Sequence, residues 1–251
     1  MLRPRAYVAW RACVVVPYPA VVSNAGGGAG PPAGDEPPAD GVLDLLGLLA
    51  YASLTAFFRL SDDAALAISL SDKTALAEMA VVEFGHFQLL RRRLEETETD
   101  PEAAMQPFVA AVDAFHARTA PADWLEGLVK AYVGDGIAAD FYRAVAQVLD
   151  PGTRDLVLAV LADTGHSDFV IARVREAIEL DPRLAGRLAL WARRLVGEAL
   201  GQAQRVAAER EPLARLLAGG ATTQLGDIGR MFAEVTDAHA ARMSALGLDA
   251  S

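Results

Sequence analysis

The chain has 251 residues, 53% of them hydrophobic, enough to bury a sizeable core as one large or two small domains. A formal net charge of −10 excludes a global basic field for nucleic acid or an anionic membrane. The single cysteine, Cys13, excludes an internal disulfide framework and any metal site built from several thiolates, so a reducing, cytoplasmic setting is expected.

Residues 1–39 differ in character from the rest of the chain. A basic start and an apolar run suggest a secretory signal, but Arg11, Pro17 and Pro19 interrupt the run. The expectation is a flexible leader, continued by the Gly/Pro-rich stretch Ala25–Asp40, with one folded domain over residues 40–251. From Asp40 onward Ala, Leu, Arg and Glu recur at helical spacing, and no alternating run is long enough for a strand, so the fold is expected to be all-α.

Asp40 reads as an N-cap, and Leu43, Leu46, Leu49 and Leu54 give the first helix an apolar face up to Leu60. The polar run from Ser61 to Lys73 then turns the chain. A second helix starts near Ser71 or Asp72 and continues to about Glu96. Asp100-Pro101 opens a shorter helix, since proline is tolerated in a first turn; reaching about Thr119, it forms the long connection between two hairpins. A third long helix starts at Pro121-Ala122-Asp123 and ends before Asp150, and a fourth spans about Thr153 to Leu180. Asp181-Pro182 breaks the chain, a fifth helix reaches about Glu209, and a last one covers about Thr222 to Leu246. No later apolar run free of charges has the length to span a bilayer, so no membrane contact is expected.

Two short motifs stand out from this pattern. Glu83-Phe84-Gly85-His86 lies inside the second helix, where residues i and i+3 are neighbours on one face, roughly 5–6 Å apart at Cβ. A carboxylate and an imidazole so placed make a metal-ligand pair. One such pair alone reads better as a polar patch on an amphipathic helix. Asp163-Thr164-Gly165-His166 repeats it on the fourth helix, which favours the metal reading. Helical bundles that hold two metal ions in carboxylates use two such turns plus one carboxylate from each of two other helices. Asp135 precedes Asp163 by 28 residues and is the expected lone carboxylate of the second hairpin. The corresponding position of the first, 30 residues before Glu83, holds Ser53.

The stretches YASLTAFFRLSDDAALA, ALAEMAVVEFGHFQLLRRRL, LVKAYVGDGIAADFYR and VLADTGHSDFV resemble a ferritin-like protein family of actinobacterial type, grouped with the tRNA 2-methylthio-isopentenyladenosine hydroxylases. The resemblance covers about Gly41 to Ala245. It implies a ferritin-like four-helix bundle, with a long connection between its two hairpins and additional C-terminal helices. It also implies a metal set of Glu83, His86, Asp135, Asp163 and His166, and a sixth ligand, usually Glu, where this chain has Ser53. Two iron ions are expected for the family and one here if Ser53 cripples the second site; manganese suits the same donors. Phe57, Phe84, Phe87 and Phe141 are expected to wall the site, and Glu198 is a candidate to fill the gap at Ser53.

Three functions emerge as expectations. The first is a di-iron hydroxylase or oxidase with an external electron donor, acting on a modified tRNA or a small molecule. Only two lysines, Lys73 and Lys130, leave a tRNA contact to arginines. The second is an iron-binding protein without hydroxylase activity, and the third a metal-poor scaffold or interaction module, which Ser53 makes reasonable. Long amphipathic helices beyond the core four can also pair with a second copy of the chain.

Overall fold

The computed structural model describes residues 39–162, 166–217 and 225–249. The expected leader, 1–39, falls outside them except for Ala39, as do Asp163 and its neighbours to Gly165. No strand occurs among the described residues. The helices in order are α1 Ala39–Leu66, α2 Leu70–Glu96, α3 Pro101–Arg118, α4 Trp124–Val129, α5 Asp135–Ala146, α6 Pro151–Val160, α7 His166–Leu180, α8 Arg183–Glu209, α9 Glu211–Leu217 and α10 Leu225–Leu246. A π-helical segment, Lys130–Gly134, joins α4 to α5.

Local chemistry explains most boundaries. Ser69 caps α2: its Oγ accepts from the Asp72 N–H at 3.0 Å and donates to Asp72 Oδ2 at 2.6 Å. Asp100, Asp123 and Asp150 cap α3, α4 and α6 in the same way, two of them ahead of a proline in the first turn. Pro107 sits inside α3 without ending it. Two expectations need correction. The first helix continues six residues past Leu60, because Ser61 to Leu66 meet no breaker and the Ser61 hydroxyl bonds back to Phe57 O at 2.8 Å. The fourth helix is interrupted, since α6 ends at its C-cap Leu161 and α7 begins at His166.

The α1–α2 hairpin packs most closely, with α3 and α9 against α1, and α8 lies against α3, α4, the π segment and α7. Among the described residues α1 alone is long and apolar enough to cross a bilayer, but half of that stretch is buried inside the bundle. It also holds Asp44, only 7% exposed, which forms a two-pronged ion pair with Arg210. Gly47 lets α3 cross α1, because a Cβ there would collide with the backbone of Ala104.

The apolar interior falls into two clusters. One gathers Leu60, Met79, Leu128, Val133, Val170 and Trp191. The other gathers Leu49, Leu90, Phe108, Val145, Val157 and Val160. Each of α1, α2 and α5 contributes to both, and so does the α6–α7 arm through Val160 and Val170. Where these helices pass from one cluster to the other, small and polar side chains replace the large apolar ones.

Candidate metal centre

That passage is a cavity of about 370 Å³. On α1 its lining is Leu49, Ala52, Ser53, Ala56 and Leu60, one helical stripe whose middle has no bulk. On α2 it is Met79, Val82, Glu83 and His86, and the fourth arm adds His166, Ser167 and Val170. Along α5 the stripe is Asp135, Ala138, Ala139 and Tyr142, with Tyr132 reaching in from the π segment. Glu83, His86, Asp135 and His166 therefore share one cavity with Ser53, as their spacing predicts. The fifth expected ligand, Asp163, lies outside the described residues.

Glu83 Oε2 lies 3.5 Å from His86 Nδ1, so the i, i+3 turn does join them. Asp135 follows the π segment directly and lines the cavity, with over a third of its surface accessible. Burial, reinforced by the charge of Glu83 and opposed by Lys130, pushes the Asp135 carboxyl up to about 8. Two carboxylates that strain against each other in a protein-walled cavity are a donor set suited to a cation. Ser53 is buried, 7% exposed, and has no hydrogen-bond partner among the described residues. Among those residues no three His, Cys, Asp or Glu side chains converge on one point.

Lys130 sits one turn before Asp135 and is itself 8% exposed. Its Nζ donates to Thr119 O at 2.8 Å and lies 5.5 Å from the centre of the Phe115 ring. Burial pulls its pKa down to about 8, although Asp135 and Asp63 favour the charged form. Asp63 packs beside Gly127, and burial raises its carboxyl to about 6.

Several expected neighbours are elsewhere. None of Phe57, Phe84, Phe87 and Phe141 lines the cavity. Phe57, Phe84 and Phe87 instead stack in a row with centroids 5.2 and 5.7 Å apart, and Phe84 is 37% exposed, so the wall is made of Ala, Leu, Val and Met. Glu198 pairs with Arg118 at 3.6 Å and cannot replace the missing ligand from there. Arg91 and Arg93 pair with Glu95 and Glu96. His116 and His239 are half-buried and line nothing, as packing histidines do.

Two residues that no motif signals also reach the cavity: Arg143 of α5 and Arg242 of α10. Both pair with Asp140, at 3.0 and 2.6 Å. Asp140 thus ties α5 to α10.

The fold agrees with a comparison against protein families, in which the model described as a ferritin-like domain of actinomycetes matches residues 38–220. No curated protein matches the chain.

Proposed function

The chain belongs to the ferritin-like domain family of actinomycetes, and we propose that it is a non-haem metalloprotein of oxidase or hydroxylase type whose metal ligands are Glu83, His86, Asp135, Asp163 and His166. What supports this reading best is that Glu83, His86, Asp135 and His166, drawn from three separate arms of the bundle, border one cavity. Iron is the metal proposed, with manganese as the substitute the same donors accept. Bound there, it would supply dioxygen reduction.

The remaining chemistry belongs to the chain. Desolvation favours the protonated form of Asp135, so a cation loaded there would displace a proton from its carboxyl oxygen. Glu83 and His86, one turn apart and 3.5 Å from each other, would both reach the same cation. Ala52, Ala56, Ala138 and Ala139 keep room beside the ligands for a substrate and keep charge away from it. Ser53, neutral and shorter than glutamate, leaves one of the two ion positions a ligand short. We therefore propose one tightly held iron per chain, with the second bound weakly.

Hydroxylation of the isopentenyl group of a modified tRNA adenosine is the reaction the sequence resemblance suggests. A small-molecule substrate fits the acidic, lysine-poor chain better. The second reading, a metal-poor scaffold, draws on the absence of a convergent donor trio among the described residues.

Elemental analysis of protein purified without an affinity tag, after anaerobic exposure to ferrous iron, separates the two. About one iron per chain, with an absorbance change on admitting air, is expected, and His86→Ala or His166→Ala should lower the content. No retained iron in the parent chain would leave the scaffold reading.

A further inference from the structure

The cavity differs along its length. On α5, Tyr142 follows Asp135 by seven residues, so it shares that face two turns away, about 10 Å along the axis. Ala138 and Ala139 lie between them and leave the space open. At the Tyr142 end the chemistry changes from acidic to basic and hydrogen-bonding. Tyr142 is half-buried, and its hydroxyl, without a hydrogen-bond partner among the described residues, stays open to the cavity that its ring lines. Burial alone pushes its phenol up to about 12, so it stays a donor.

Arg143 and Arg242 complete this end. Arg242 lies across Gly136, where a Cβ would come within 2.7 Å of its Cδ and 2.8 Å of its Nε, so only glycine admits the side chain. The two guanidinium groups share a single carboxylate, Asp140, which leaves one formal positive charge on the wall. Nε and Nη2 of Arg242 are buried without a hydrogen-bond partner. Asp140 Oδ2, 2.6 Å from Nη1, is likewise without an aligned hydrogen bond, so the pair is held by charge more than by geometry and a turn of the guanidinium would bring its donors to the cavity it borders. Arg143 is 44% exposed and also donates to Leu161 O at 2.6 Å, which places this end at the mouth.

We propose that the cavity binds an amphipathic monocarboxylate, its head held by Arg242, Arg143 and the Tyr142 hydroxyl, and its apolar chain lying along Ala138 and Ala139 toward Ser53. A monoanion matches the single uncompensated charge, and a planar carboxylate matches a guanidinium fork. As a statement of substrate class this rests on the metalloprotein reading; as a statement of binding it does not.

Isothermal titration of the full metal-free chain with octanoate and with 1-octanol at pH 7 tests it. One octanoate per chain is expected, bound at least tenfold more tightly than the alcohol. Tyr142→Phe removes only an unpartnered hydroxyl, so it should fold normally and bind octanoate about threefold to tenfold more weakly. Arg242→Gln should lose tenfold or more, with Arg242→Lys in between. Equal affinity for acid and alcohol, no octanoate binding, or unchanged affinity in both Tyr142→Phe and Arg242→Gln would overturn the proposal. Iron content measured on the same preparations keeps the two failures apart: iron retained without octanoate binding refutes only the ligand class, and octanoate bound without iron refutes only the metal centre.

Discussion

His116 shows how a single buried group sets a pH response. Desolvation, with Lys130 and Arg59 nearby, pulls its pKa down to about 3, and its Nδ1 is buried without a partner. The unfolded chain takes up a proton there near 6.5 while the folded chain does not, so stability falls as pH drops below 6.5 and the loss is complete only near pH 3. At pH 5 the penalty amounts to roughly 2 kcal/mol. His116→Leu should therefore narrow the gap in melting temperature between pH 7 and pH 5, and an unchanged gap would mean that the imidazole is not shielded. Asp44 carries the opposite kind of burial. It is satisfied by Arg210, and Arg210→Ala would strand its charge, at a cost of about 3–5 kcal/mol in denaturant unfolding.

At the level of elements, the boundaries that were legible in the sequence are those written in side-chain chemistry. Asp100-Pro101 and Asp150-Pro151 start α3 and α6 because a capping carboxylate and a pre-set φ act locally. The π segment was not legible. Lys130 to Gly134 read as ordinary helix, and the extra residue in the turn depends on where Lys130 and Asp135 must point once α4 and α8 are packed. The end of α1 was missed for a related reason: Ser61-Asp62-Asp63 look like a turn, yet Ala64 and Ala65 sustain the helix to Leu66, three residues before the Ser69 cap opens α2. Swapping Ser69 for Ala removes the acceptor for the Asp72 N–H and should cost about 1 kcal/mol, readable as a small drop in melting temperature.

For the whole molecule, the two apolar clusters act as end plates and the residues between them as the contents. The i, i+3 spacing of Glu83 and His86 was legible in the sequence, and four of the five expected ligands border one cavity, while the 28-residue interval from Asp135 ends at Asp163, outside the described residues. Arg242 carried none, because its place depends on α10 folding back onto Gly136 from more than 100 residues away. The aromatic wall failed because helical periodicity tells which residues share a face, and not which face turns inward.

The most direct measurement on the centre is a side-by-side anaerobic titration of ferrous iron into the parent chain and Ser53→Glu. About one iron per chain in the parent and close to two in the variant is the result expected from a cavity short of one carboxylate. Equal stoichiometry in both would contradict the assignment of Ser53 to the site.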